Sequence, residues 1–540
     1  MKMNKVKLNC GCEFEEKNGE LILDYDLDKI NFNCQETWDL IGTGKTTGLF
    51  QIDSGLGQMM SKKLKPQNID HLAALIAIMR PSCLKGVLED GKSIADHFID
   101  RKNGAEKATS QYPILEPILK NTYNLMIYQE QAIKIGQEIA GMSLQDSDYY
   151  IRYGIGKKKA DIIAAAEKIF LEGCEKIGKA KPKEAKAIWE WIKSAQRYQF
   201  NSAHSYSYAM ISYLTAIPKV HTQRRFYKSW LNHSHDKIKP FNEIKNLVVD
   251  ARTVGIDVCN PDVRIKNPNF VIKDGRIYFG LQHIKGIGES SLKPLLSLVE
   301  STDLNTLSYG EILFKVFLRL SKTLIKHTIA VGSWDFTKLS REKMLFDHDT
   351  VLKLTKKEVD WIEKNIKLEN YSSLLDIIQE ILKQEPGKGQ GVSNKNRKNI
   401  IKGLEYALVT SPYHVINNSI RRISTLETSY LGVPLSCHKT DEIDKDVADS
   451  TIEEFQDGKT GVMKFLVEIT EVKEITPKKS KKPMAFISAE DSTGQLTNLV
   501  AFNDLWEEKK DILFVGNTAL LVAEKSNDRD SLIIKNCKSM

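Results

Sequence analysis

Apolar residues recur at helical spacing through most of the first half of the chain. IDHLAALIAIMRP (69–81) is apolar on every face, which predicts a buried helix stopped by Pro81. PILEPILKNTYNLMIYQEQAIKIGQEIAG (113–141) reads as two helices around a tight link. Ile162, Ile163, Ala166, Ile169 and Phe170 predict a further helix, entered from the turn YGIGKKK through Gly154 and Gly156. Residues 1–34 instead alternate polar and apolar around a Lys-Asn-Gly turn and predict short strands. In the second half, NFVIKDGRIYFGL predicts a hairpin turning at Asp274-Gly275. Residues 301–400 return to a helical pattern, with KQEPGKGQGVSNKNRK expected as a mobile loop. From 460 the runs GVMKFLVEITEVKEIT, KPMAFISAED, QLTNLVAF and NTALLVAEK predict successive strands, with Gly494 and Gly516 at turns. The expected architecture is multidomain α+β: a β-rich segment (1–34), a helical domain (35–240), a mixed region (241–455) and a five-stranded OB-type barrel (456–540).

A chain of 540 residues is too long for one hydrophobic core. No stretch approaches the roughly 20 apolar residues of a membrane span, and the N-terminus lacks the apolar core of a signal peptide. A cytoplasmic location is expected, with no membrane partner. The eight cysteines are then thiols or metal ligands rather than disulfides. Charge is uneven. Residues 151–240 hold eighteen Lys and Arg against seven Asp and Glu, a larger surplus than the +8 of the whole chain. Aromatic residues are interleaved with this basic field, a pattern suited to a phosphate-bearing partner, nucleic acid first.

Lys157, Lys158 and Lys159 precede a helix N-terminus, where free amides and the helix dipole favour a polyphosphate. A solvated surface turn is the other reading. In HIKGIGESS, Lys285, Gly286 and Gly288 match a helix-hairpin-helix turn, whose amides can approach a DNA phosphate. A plain helical corner is its alternative. Lys478, Lys479, Lys481 and Lys482 lie in the first loop of the expected barrel, where they could track a nucleic-acid backbone. Phe486 and Phe502 fall on expected strands, with a place in the core open to both. Asp24, Asp26 and Asp28 have strand spacing, so one face would carry all three, where they repel unless a cation sits among them. Cys10, Cys12 and Cys34 offer three soft ligands where a closed zinc site takes four. His71 is too remote along the chain to complete it, and reduced thiols in a small hairpin are the alternative.

Taken in order, TTGLFQIDSGLGQMMSKKLKP, AALIAIMRPSCL, FIDRKNG, ILKNTYNLMIYQEQAIKIGQEIAG, IRYGIGKKKADI, FNSAHSYSYAMISY, GRIYFGLQHIKGIGES and LETSYLGVPLS resemble the C-family replicative polymerases, the bacterial DNA polymerase III alpha subunits. The resemblance covers nearly the whole chain and implies fingers, then a helix-hairpin-helix region on duplex DNA, then an OB domain. It makes Arg152 and Lys157, Lys158 and Lys159 candidate ligands of an incoming dNTP. FNSAHSYSYA brings Asn201, His204 and Tyr208 as nucleotide-pocket candidates. MRPS and IYQEQ add Arg80, Tyr128, Gln129 and Glu130, with packing of the fingers open as their role.

Ser202 stands where the family usually has lysine. The family's phosphoesterase-like (PHP) domain and its PDxDxD palm are not found in these residues, which begin about where the family's palm ends. The expectation is a split polymerase, as in some bacteriophages. The palm/PHP chain would be a separate partner holding the Mg²⁺ ions, with primer-template DNA and dNTPs as the other ligands. Asp24 or Asp26 could stand for a palm carboxylate only at a much shorter chain separation than the family shows. A sliding clamp enters as an implied partner without an evident QxxLF-like peptide. A polymerase-derived DNA-binding accessory, or a different nucleotidyltransferase built on Asp24 and Asp26, are the other classes.

Overall fold

The computed structural model describes residues 4–17, 20–24, 26–85, 90–155, 160–196, 199–383, 391–410, 417–456, 458–477, 480–526 and 531–540. The chain forms two compact units, residues 1–226 and 227–540. Among the described residues no helix is long and apolar enough to cross a membrane.

The first unit opens with an antiparallel meander of β1 (Asn4–Lys7), β2 (Glu13–Lys17) and β3 (Glu20–Leu23). Val6 pairs with Phe14 and Phe14 with Leu23, which puts one apolar face inward. The alternation ends there, so Asp24, Asp26 and Asp28 do not share a strand face. Asp26 instead caps a 3-10 turn, Leu27–Lys29, by accepting from the Asp28 amide. The cation among these acids is Lys29, whose Nζ lies 2.7 Å from Asp24 and 3.2 Å from Asp26. That pairing, with the Asp26 amide, holds the Asp24 carboxyl below its ordinary value.

Two helices form the centre of this unit. Ile69–Ile78 is buried from Leu72 to Ile78, as its uniform apolarity requires. Pro81 then starts a short helix, Pro81–Lys85, besides stopping the longer one. The 20-residue helix Ser202–His221 packs along Ile69–Ile78, burying Ser205, Ala209, Ser212, Tyr213 and Ala216 at helical spacing. Its polar side chains also fix the loop before Gly55. Thr215 Oγ1 accepts from the Phe50 amide at 3.1 Å and Ser212 Oγ donates to the Phe50 carbonyl at 2.8 Å. Lys219 is buried and donates to the carbonyls of Lys45 and Thr47 at 2.9 and 2.8 Å.

A second core joins Gln129–Ala140, Ser147–Ile155, Ala160–Ile177 and Pro182–Ala195 around Ile135, Ile151, Phe170, Ile188 and Trp189. Gly173 lets two helices meet closely, since a Cβ there would lie 2.0 Å from the Ala140 carbonyl oxygen. Gly154 is not in a turn but within Ser147–Ile155, a π-helical stretch; Gly156 lies outside the described residues.

The second unit contains the expected hairpin. β5 (Val271–Lys273) and β6 (Arg276–Tyr278) turn at Asp274 and Gly275, with φ of +50° and +74°, and β4 (Val258–Cys259) pairs parallel to β6. The segment expected as a mobile loop is helical from Asn394, at the start of Asn394–Thr410, and its residues 384–390 lie outside the described set. A buried ion pair ties this unit together. Arg341, 2% exposed, donates to Glu427, which is fully buried, at 2.7 Å, and to Asp335 and Ser436. Glu427 also accepts from the amides of Leu435 and Ser436 and from Asn260.

The C-terminal strands close a barrel in the order β10–β11–β9–β8–β7. These are β7 (Val462–Ile475), β8 (Met484–Glu490), β9 (Gln495–Ala501), β10 (Thr518–Lys525) and β11 (Leu532–Ser539). β9 and β11 run parallel and the other neighbours antiparallel, and the helix Asn503–Lys509 joins β9 to β10. This is the five-stranded OB arrangement. Met463, Phe465, Val467, Ile487, Leu499, Leu521 and Ile534 fill it, with Ile452 and Trp506 packed against them.

Truncating Glu427 removes the buried carboxylate of Arg341 and leaves the guanidinium only the half-exposed Asp335 carboxylate. Glu427→Ala is expected to cost about 3–5 kcal/mol. Calorimetry of the full chain should show a lower unfolding temperature, with Glu427→Gln affected less because it still accepts from the two amides.

Candidate nucleotide and nucleic-acid interface

The site in the first unit is built on the N-terminus of the Ser202–His221 helix. Its first turn leaves amides that need acceptors, and two side chains provide them. Asn201 Oδ1 accepts from the His204 amide at 2.8 Å, the expected cap for an Asn in this place. Glu130 Oε2 accepts from the Ser202 amide at 3.0 Å, while its Oε1 accepts from Asn201 Nδ2 at 2.8 Å. Glu130 is carried there by a one-residue parallel bridge between Tyr128 and Phe200. The Gln129 amide donates to the Phe200 carbonyl, and the Phe200 amide to the Ile127 carbonyl, both at 2.9 Å.

Beside this cap runs a ladder of rings topped by a cation. The Arg80 guanidinium stands 3.9 Å above the Phe200 ring. Phe200 meets His204 edge-on at 5.4 Å, His204 lies 4.0 Å from Tyr208, and Tyr208 lies 5.0 Å from Phe50. Arg80 is exposed and has no carboxylate partner among the described residues. On the other side of the cap a cleft of about 220 Å³ is lined by Asp70, Tyr128, Glu130, Lys134, Ser202 and Tyr206. Tyr206 donates to Asp70 at 2.6 Å; burial, then this bond, pushes its phenol well up.

Arg152 lies in the π-helical stretch and is held by Asp148 through two contacts of 2.5 and 2.8 Å. Asp148 raises the Arg152 guanidinium first, and Glu130 contributes at longer range, so Arg152 faces the same field as the helix cap. On the same stretch Tyr149, 48% exposed, stacks on Tyr153 with ring centres 5.7 Å apart. π-turns of this kind disrupt regular helix geometry and recur at functional sites.

The structure thus brings Arg80, Glu130, Asn201, His204 and Tyr208 into one surface, with Arg152 in its field. Lys157, Lys158 and Lys159 lie outside the described residues. The Ser202 and His204 amides at the helix N-terminus are already taken by Glu130 and Asn201. Sequence reasoning missed Phe50 and Phe200 as members of the ladder, and the role of Glu130 as a cap from another helix.

In the second unit the turn before Glu289–Ser301 has the expected tight form. Gly286 has φ +82° and lies against His327, whose Nδ1 is 3.1 Å from the Lys285 carbonyl. Gly288 caps the helix with no side chain, and its Cβ direction is open. On the barrel, Lys481 and Lys482 are exposed in the loop between β7 and β8, while Lys478 and Lys479 lie outside the described residues. Phe486 and Phe502 are not core: they are 38% and 51% exposed. Phe486 points out of β8, and Phe502 caps the helix after β9.

Cys10, Cys12 and Cys34 also come together, and His221 joins them.

Residues 10–178 match the finger domain of the bacterial DNA polymerase III alpha subunit. Residues 255–344 match a helix-hairpin-helix motif. Over about three fifths of its length the chain is similar to DNA polymerase III alpha subunits. It is 33% identical to that of Aquifex aeolicus over 333 residues, 61% of this chain and 27% of the relative. It is 31% identical to that of Helicobacter pylori J99 over 339 residues, 61% of this chain and 27% of the relative. For Escherichia coli K12 the identity is 31% over 330 residues, 59% of this chain and 27% of the relative. The chain therefore spans about a quarter of the length of these relatives. The finger match takes in Arg80, Glu130 and Arg152, and the second match takes in Gly286, Gly288 and Arg341. Asn201, His204, Tyr208 and the barrel lie outside both.

Glu130→Ala removes one of the two caps of the Ser202–His221 helix, leaving Asn201, and is expected to cost about 1–2 kcal/mol. Hydrogen exchange should quicken at Ser202 in that variant and less in Glu130→Gln, which keeps one acceptor oxygen for the two donors that Glu130 serves.

Proposed function

We propose that this chain is the fingers and DNA-binding part of a replicative, DNA polymerase III alpha-like enzyme. It binds primer-template DNA and the incoming dNTP, with the catalytic palm on a separate polypeptide. The observation that carries the reading is the surface at the Ser202 end of the long helix. A cation, Arg80, stands on a ladder of rings beside the capped helix N-terminus, within and beside the finger-domain match.

Arg80 and Arg152 hold the triphosphate through charge-assisted contacts, joined by Lys157, Lys158 and Lys159. His204 and Tyr208 offer faces for the base and sugar. The exposed Tyr149–Tyr153 pair suits an unstacked template base. The glycine turn at Gly286 and Gly288, with Lys285, takes a duplex phosphate on backbone amides. The barrel takes single-stranded template on Phe486 and Phe502, with the lysines of its first loop on the backbone. Divalent ions supply the charge neutralisation of phosphoryl transfer. Asp24 and Asp26 do not fit as their ligands, because Lys29 already neutralises them on an exposed turn. The chain's own residues bind and orient; the carboxylates come from the palm.

The purified chain should bind primer-template DNA in a salt-dependent way yet incorporate no nucleotide, and a palm-bearing chain should restore synthesis. Robust extension by the chain alone contradicts the split reading, and DNA binding that no palm chain converts to synthesis favours an accessory protein. In the restored enzyme, changing Lys157, Lys158 and Lys159 to Ala should weaken dNTP use by about 1.5–3 kcal/mol for each lysine–phosphate hydrogen bond removed. Unchanged kcat and KM would make that segment a solvated turn.

Neutralising Lys478, Lys479, Lys481 and Lys482 should flatten the salt dependence of single-strand binding, measured by fluorescence anisotropy. Phe486→Ala or Phe502→Ala should lose about 1–3 kcal/mol at any salt. If the four-lysine and Phe variants all bind as wild type does, the barrel is a protein-contact module.

A further inference from the structure

The end of the long helix away from the nucleotide surface carries a second constellation. His221, its last residue, presents Nε2 to two sulfurs, 3.7 Å from Cys10 and 3.4 Å from Cys34. The ligand atoms of Cys10, Cys12, Cys34 and His221 all lie within 4.8 Å of one another. All three cysteines are free thiols. Cys12 and Cys34 are buried, and the His221 side chain is 6% exposed.

Local structure holds each ligand in place. Cys10 sits in a turn closed by the Gly11 amide donating to Leu8 and the Leu8 amide to Cys12, both at 2.9 Å, with Gly11 at φ +86°. Asn31 Nδ2 donates to the Cys10 carbonyl at 2.7 Å. Cys34 occupies the N-cap position of Gln35–Thr43 without capping through its sulfur, which leaves the thiol turned to the cluster. The other ring nitrogen of His221, Nδ1, lies 3.6 Å from Glu36, and Phe14 packs edge-on against the ring at 5.8 Å.

We propose that Cys10, Cys12, Cys34 and His221 bind one structural zinc ion. Around a tetrahedral zinc, bond lengths of about 2.3 Å to sulfur and 2.0–2.1 Å to nitrogen give ligand separations of about 3.6 Å from nitrogen to sulfur. The separations of 3.4 and 3.7 Å fall on either side of that value. Three thiolates and one imidazole, with no open position, make a structural site for a borderline-soft ion. Glu36, 3.6 Å from the other ring nitrogen, stands on the side where the outer partner of a metal-bound histidine lies. The ion joins the β1–β2 turn, the segment before Gln35–Thr43 and the end of the Ser202–His221 helix, three places far apart in sequence. This assignment does not rest on the polymerase reading.

The test is metal content of the full chain, expressed with zinc and purified under reducing conditions without chelator. One equivalent of zinc is expected by plasma mass spectrometry. His221→Ala and Cys34→Ser should fall below a tenth of an equivalent, whereas His221→Cys and Cys174→Ser, the latter in the helical core, should keep it. Replacing zinc with Co²⁺ should give thiolate charge-transfer and tetrahedral d–d bands, a readout on the wild-type chain that no variant's failure to fold can obscure. Zinc below a tenth of an equivalent in the wild type, no such cobalt bands, or a disulfide among the three cysteines would overturn the proposal.

Discussion

The cap on the Ser202–His221 helix is the constraint from which the arrangement of the first unit follows. Asn201 and Glu130 both accept from its first-turn amides, so the segment after Tyr128 is locked to the residues leading into the helix. That lock sets Phe200 under Arg80 and starts the ring ladder down the helix. Further along, Ser212, Thr215 and buried Lys219 fix the loop that carries Phe50, the last ring of the ladder. One rigid element thereby positions cation, rings and loop together. Side chains held by packing in this way lose little entropy on binding a ligand.

The second unit solves a different problem with a buried charge pair. Glu427 lies within LETSYLGVPLS; its contacts with Arg341 and Asn260 fasten that segment to the unit, and those from Leu435 and Ser436 close the segment on itself. A buried pair of this kind contributes little net stability, but either half left alone is costly, so it specifies one arrangement. The glycine turn at Gly286 is then held by His327 and by the Lys285 amide donating to Tyr430 at 2.9 Å. The barrel relies on apolar filling instead, which leaves its outer face free to carry Phe486, Phe502 and the lysine loop.

Much of this was legible in the sequence wherever a period or a turn signal reported directly on structure. Uniform apolarity marked Ile69–Ile78, Asp274-Gly275 marked the hairpin, and alternating runs with glycine turns marked the barrel. Local rules failed where tertiary partners decide. The spacing of Asp24, Asp26 and Asp28 imitates a strand, yet β3 ends at Leu23 and side-chain capping takes over. Phe486 and Phe502 have apolar character, which does not say which face of a strand or which helix end they occupy. Glu130 as a cap and His221 beside the cysteines are contacts across 72 and 187 residues of sequence, beyond the reach of any periodicity. The sole signal for His221 was that three clustered cysteines stood one ligand short.

On the proposed function, the Ser202 end of the long helix and the neighbouring π-helical stretch face the templating position. A primer-template duplex with a photoreactive base at that position can be crosslinked to the full chain and mapped by peptide mass spectrometry. Adducts are expected within residues 147–155 and 199–208, reduced by competing unmodified DNA. Crosslinks confined to the barrel or the helix-hairpin-helix region, with none in those two stretches, would contradict that reading.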